Sequence, residues 1–367
     1  MRGVSLDEAK RTGPAPATVP DAGAVTGGPW LLAGHDGRLT LYVHAGGAVL
    51  RWTEEAAGSR HWAGPDVIPA KGITHLTVVQ GRNRYAHFLG RRSRPRADDW
   101  STVDIVRATQ YQTGRPMTEW RSLGNPSKEI ARAVEAGDPT GAVAQDGALH
   151  VCVPTGLGSL ALRREDKQGQ WEAWGKLPAA GVTDRPALAA TSAGLVEALI
   201  PVHTGALHLC QQKPGGPLVP GYEVGAVPLP GSVSSLETSP GIVTYYLTDV
   251  RSAGVAAFRA GRWPVPLGGE PGDGRISAVR TMLDGLDCTV LAFRSLAGTV
   301  RLGAFETEGE QNGVWWTDTG RQCAGDASLA VDGRGRMAVA VVGTDGRPSV
   351  ARQEDSQGLT LSDWHRI

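Results

Sequence analysis

A turn glycine recurs along this chain at a near-fixed interval, each time between a short apolar run and a second alternating run. The glycines are Gly37, Gly81, Gly147, Gly194, Gly241, Gly285 and Gly333, separated by 44, 66, 47, 47, 44 and 48 residues. A period in that range marks a propeller or another repeat array, because one such unit cannot bury its apolar face alone and stacks on its neighbours.

The pattern also repeats within each unit. Asp36-Gly37, Asp146-Gly147, Asp284-Gly285 and Asp332-Gly333 are two-residue hairpin signals, since tight turns of this type need positive φ. Further on come a second glycine (Gly47, Gly158, Gly205, Gly254, Gly298, Gly346) and another short apolar run in six of the units. An aromatic closes each unit: Trp62, Trp120, Trp174, Tyr222, Trp263, Trp316 and Trp364. Four short strands per unit is the simplest count. The 50 glycines and 24 prolines oppose a helical architecture, while a 41% hydrophobic share supports a core. The expectation is an all-β protein, a seven-bladed β-propeller of four-stranded antiparallel blades. The blades fall at about 30–62, 75–123, 138–178, 185–223, 232–266, 275–318 and 325–366, after a flexible Ala-, Pro- and Gly-rich arm at 1–27.

Charge and motif content narrow the function. The 37 basic and 37 acidic residues balance, against a general nucleic-acid or anionic-membrane surface. The basic set is 31 Arg and 6 Lys, a skew expected of a GC-rich, actinobacterial-type genome. No apolar stretch of signal-peptide or membrane-spanning kind stands out, so a cytoplasmic location is expected. The four cysteines, Cys152, Cys210, Cys288 and Cys323, lie far apart without a CxxC pair and are read as free thiols. There is no GxSxG elbow, P-loop, GxGxxG helix start, EF-hand loop, HxH or HExxH, and so no cofactor or metal is expected.

Asp146-Gly147-Ala148-Leu149, then Gly158-Ser159-Leu160-Ala161-Leu162, then Trp171-Glu172-Ala173-Trp174-Gly175-Lys176-Leu177 resemble the repeats of the PLL-type and tectonin-type lectin propellers. There a "DG-L" strand precedes a "G-L" strand and a "W-x-x-W-x-x-L" strand. The resemblance implies a seven-bladed propeller with fucose-type or methylated-sugar sites in the clefts between blades. The flanks of the closing aromatic differ in every unit here, whereas multivalent binding calls for equivalent sites. Any ligand is therefore expected at one or two sites.

Blade 2 carries two insertions, 90–102 and 124–138, at positions that share one face of a four-stranded blade. Loops on a rigid scaffold are where binding groups concentrate. His44, His75, His87 and His203 are placed near that face, and Asp98 and Asp99 could orient one of the imidazoles for acid–base work. Arg91 and Arg92, with Trp100 after them, could hold a carboxylate or phosphate, or form a solvated loop paired to Asp98 and Asp99. Trp52, Trp171, Trp174 and Trp315 could stack on a sugar, or pack blade on blade. Three readings stay open. One is a lectin-like binder of a glycan or small polar ligand. The second is a biosynthetic tailoring enzyme, a hydrolase, lyase or cyclase, with one active site on the insertion face. The third is a protein-interaction scaffold.

Overall fold

The structure, a computed structural model, describes residues 25–95, 101–354 and 358–367. Asp98, Asp99, Trp100 and most of the expected arm lie outside them. The described residues form seven four-stranded antiparallel sheets, each made of consecutive strands. Blade 1 holds β1 (Val25–Ala33), β2 (Leu39–Ala45), β3 (Ala48–Glu54) and β4 (Trp62–Pro69); blade 2 holds β5 (Ile73–Gln80), β6 (Ala86–Pro95), β7 (Ser101–Gln110) and β8 (Arg121–Gly124). A four-residue helix α1 (Ile130–Ala133) leads to blade 3: β9 (Thr140–Val143), β10 (Leu149–Thr155), β11 (Ser159–Arg164) and β12 (Gly175–Ala180). Blade 4 is β13 (Ala187–Ala190), β14 (Val196–Val202), β15 (Gly205–Gln211) and β16 (Leu218–Val224); blade 5 is β17 (Ser234–Ser239), β18 (Ile242–Asp249), β19 (Gly254–Arg259) and β20 (Val265–Gly268). Blade 6 is β21 (Ser277–Leu283), β22 (Leu286–Arg294), β23 (Thr299–Glu306) and β24 (Trp315–Gln322); blade 7 is β25 (Ser328–Val331), β26 (Met337–Val342), β27 (Pro348–Arg352) and β28 (His365–Arg366). The first strand of each blade neighbours that of the next, and β25 returns to β1, which closes the ring.

The core is divided among the seams. Seven apolar clusters each join two adjacent blades, including Leu31, Leu41 and Trp52 of blade 1 with Ala338, Ala340 and Val350 of blade 7. A middle strand such as β2 is therefore buried on both faces at every residue, while the outer β24 alternates between covered and exposed. Among the described residues no blade borrows a strand from the far end of the chain, and the last seam is held by contacts. Leu31 N donates to Ser328 Oγ at 3.0 Å, and Gly333 N donates to the Gly37 carbonyl at 3.1 Å. Arg352 pairs with the fully buried Glu54, whose carboxylate also accepts from Leu39 N at 2.8 Å.

The closing tryptophans reinforce the seams. Trp120 Nε1 donates to the Pro69 carbonyl at 3.0 Å, Trp174 Nε1 to that of Leu123 at 3.0 Å, and Trp316 Nε1 to that of Leu267 at 2.9 Å. Each indole thus spends its one donor on the outer strand of the preceding blade, satisfying a group that would otherwise be costly to cover.

Blade 2 departs from the expected loop. β6 and β7 stay paired from Ala86↔Gln110 out to Pro95↔Ser101, so the arginine run prolongs a hairpin. The second insertion folds back against it: Asn125 Nδ2 donates to the carbonyls of Val103 and Ala133 at 2.8 and 3.0 Å, and the Arg91 guanidinium donates to that of Val134. The two insertions do meet.

Candidate functional site

The linkers entering the first strands converge on the ring axis, and between them lies a cavity of about 780 Å³ lined from blades 1, 2, 3, 4, 6 and 7. A structural repeat supplies its charges. In Gly137-Asp138-Pro139-Thr140, Asp184-Arg185-Pro186-Ala187, Gly274-Arg275-Ile276-Ser277 and Gly325-Asp326-Ala327-Ser328, the second residue stands two before the innermost strand. Asp138, Arg185, Arg275 and Asp326 all line the cavity.

His75 is aimed by its backbone. It sits at φ 53°, in the left-handed region, where the β5–β6 register shifts between Thr74 and Thr77. Such a bulge re-aims a side chain, and a non-glycine residue there is an outlier that invites a functional explanation. The imidazole Nδ1 meets Thr74 Oγ1 at 2.9 Å and Nε2 meets Asp138 Oδ1 at 3.4 Å, with both side chains open to the cavity. His44 ends β2 and is buried; its Nδ1 meets Thr26 Oγ1 at 2.8 Å while Nε2 has no partner. Burial lowers its pKa and favours the neutral ring.

The two arginines are sparsely bonded. Arg185 Nη1 reaches over blade 3 to Thr77 Oγ1 at 3.3 Å. Arg275 Nη2 lies 3.5 Å from the Pro29 carbonyl, and its Nε is buried without a partner. Asp326 Oδ1 is occupied by the Arg275 backbone N–H at 3.1 Å. Among the described residues, neither guanidinium has a carboxylate within ion-pair distance.

The other expected residues lie elsewhere. His87 opens β6, pairing with Val79 near the far end of the hairpin, so it does not join His44 and His75. The sequence places it near the insertion face, but β6 continues past it to Pro95 through a polar run that carries no apolar alternation. Its Nδ1 meets Thr109 Oγ1 at 3.2 Å, and burial first, then the Arg107 charge, lowers its pKa to about 4. His203 follows β14 and is exposed outside the cavity. Arg91 is engaged with the linker carbonyl, and half-buried Arg92 pairs in register with Ile73 and Asp104. Trp52 is buried in the seam that closes the ring. Trp171 lies under the guanidiniums of Arg107 and Arg163 at 5.2 and 5.8 Å, Trp174 clasps blade 2, and Trp315 is 80% exposed.

Two further clefts open on the opposite face. One, of about 350 Å³ at the seam of blades 7 and 1, is lined by Trp62, Trp364, Arg60 and Arg336 among others. The other, of about 700 Å³ between blades 3 and 4, is polar and carries no tryptophan. The aromatic lining is thus not repeated from cleft to cleft. Among the described residues no group of three His, Cys, Asp or Glu side chains is placed to hold a metal ion, and no helix is long and apolar enough to cross a membrane.

No protein-family model matches this chain, and no curated protein matches it. Among solved structures, the chain is similar to the NanB sialidase of Streptococcus pneumoniae, with a TM-score of 0.52 and 8% identity over 84% of this chain and 80% of that one. It is also matched to the Hadza microbial sialidase Hz136, at a TM-score of 0.47 and 12% identity over 85% of this chain, and spans 62% of that protein's length. A third is the SapL1 lectin solved in complex with alpha methyl fucoside, at a TM-score of 0.47 and 13% identity over 80% of this chain and 96% of that one. These likenesses are of fold.

Proposed function

We propose that this protein is a carbohydrate-type binder that takes one small polar ligand in the axial cavity. The observation that carries the reading is the convergence there of Thr26, His44, Thr74, His75, Arg185 and Arg275, with Arg185 making one hydrogen bond, while Trp120, Trp174 and Trp316 have spent their donors on seam carbonyls. A concave site with a few convergent polar groups is the usual form of a small-molecule pocket. The fold likeness to a sialidase is in keeping with a sugar ligand. The fucose-type sites between blades that the repeat resemblance implies find less support, since the clefts at the seams do not share a tryptophan lining.

A glycan array with the purified protein, followed by calorimetric titration of the best ligand, tests this. Selective binding with one ligand per chain is expected. A stoichiometry of several per chain would return the site to the seams, and a blank array would set the reading aside.

A second reading has its own observation: the left-handed His75 directed at Asp138 is an imidazole–carboxylate pair facing a cavity, an arrangement suited to general base or acid chemistry in a hydrolase, lyase or cyclase. His75→Ala separates the two readings. A binder loses affinity and has no turnover to lose, whereas an enzyme acting through His75 still binds its substrate and loses turnover.

A further inference from the structure

We infer that the axial cavity recognises a carboxylate, held between Arg185 and Arg275, on a small polyhydroxylated ligand; this rests on the axial site proposed above. Several arginines withdrawn from water elsewhere are paired with carboxylates. Arg51 bonds Asp66 through Nε and Nη2 at 3.0 and 2.5 Å, Arg259 meets Glu310 at 2.5 Å, and Arg107 lies 3.4 Å from Glu165. Arg185 and Arg275 have no such ion pair among the described residues, and they line one cavity together.

Their cationic charge is only partly compensated, by Asp326 near Arg275. Burial holds the Arg275 guanidinium below its ordinary pKa, Asp326 opposes the shift, and the charge of Arg185 adds to it. Two cations that disfavour one another in a partly dehydrated space are an arrangement that a bound anion relieves. The nearby acids supply it in part: Asp326 favours the Arg275 charge while one of its oxygens accepts a backbone N–H, and Asp138 faces His75. An arginine fork matches the planar, two-oxygen geometry of a carboxylate, and the cavity has room for a sugar-sized body beside it. Thr26, Thr74 and His75, which also line the cavity, add hydrogen-bonding groups around that body.

The experiment compares ligands that differ only at the acid: methyl glucuronide against methyl glucoside, and methyl galacturonide against methyl galactoside, with succinate as a non-sugar carboxylate. Titrations use the full chain, Arg185→Met and Arg275→Met, each variant first shown to unfold cooperatively. The expected result is that an acidic sugar binds at least about tenfold more tightly than its neutral partner, and that either substitution removes the preference. Equal binding of acidic and neutral sugars, or an acid preference untouched in both variants, would overturn the carboxylate site while leaving a carbohydrate site standing. Succinate binding as well as the uronides in an arginine-dependent way would support the carboxylate site and overturn the carbohydrate reading. Absence of binding by the entire set would overturn both. Arg185→Met is the safeguard against misfolding, because that guanidinium makes a single bond, to Thr77.

Discussion

Arg352 and Arg275 are both arginines drawn out of bulk water, one at the seam that closes the ring and the other at the axial mouth. Arg352 meets Glu54 and stands 3.9 Å from Asp332, and Glu54 is in turn held by backbone N–H groups of Leu39 and Gly58. Arg275 has a distant carbonyl, the charge of Asp326 beyond ion-pair distance and a like-charged neighbour in Arg185. A buried charge with its partner is part of the fold, and removing the partner is costly. One without a partner contributes little to the fold and is available to a ligand.

The contrast can be broken most forcefully at the seam. Glu54→Gln leaves Arg352 without its closest counter-charge, and unfolding in urea should show a loss of about 3–5 kcal/mol. A loss below about 1 kcal/mol would mean that the ring closes on its apolar seam alone.

Acid offers a second test, through His87. Its folded pKa of about 4 lies below the ordinary 6.5, so between those values the unfolded chain binds more protons and stability rises with pH. The contribution is complete above pH 6.5 and is lost as pH falls toward 4, on the order of 3 kcal/mol in all. His87→Gln should flatten that part of the stability–pH curve, and an unchanged slope would show that other groups set it.

Smaller effects separate the tryptophans. Trp174→Phe removes the donor to the Leu123 carbonyl and should cost about 1 kcal/mol or somewhat more, whereas Trp315→Phe, on an 80% exposed side chain, should stay within about 0.5 kcal/mol. Equal costs would argue against the indole N–H as a seam clasp.

The smallest change is expected at the axial mouth, and its sign matters. Arg275→Met should leave the thermal midpoint unchanged or slightly raised, within about 1 kcal/mol, because it relieves repulsion with Arg185 and keeps the backbone bond to Asp326. A clear loss of stability would mean that the guanidinium is structural after all.

Local signals were legible where the chemistry is local. Asp284 and Gly285 adopt φ of 51° and 79°, the positive values that their dipeptide announces. Asp332-Gly333 looks the same in sequence, but the positive φ belongs to Gly335, and Asp332 Oδ1 accepts from the N–H groups of Arg334 and Arg336. A carboxylate able to bond its own loop drew the chain into a wider turn. His44 and His75, which the sequence places near the insertion face, both line the axial cavity. Asp138, Arg185, Arg275 and Asp326 become legible only when the repeats are aligned on the residue two before each innermost strand, a position that is charged in five units, Lys71 among them.

Periodicity, blade count and all-β character were determined by the sequence itself, because glycine turns and apolar alternation act over a few residues and repeat down the chain. The axial site was decided by the tertiary structure. Its members come from six blades and meet only when the seam of blades 7 and 1 closes, and whether an arginine finds a carboxylate depends on which distant residues that closure brings near.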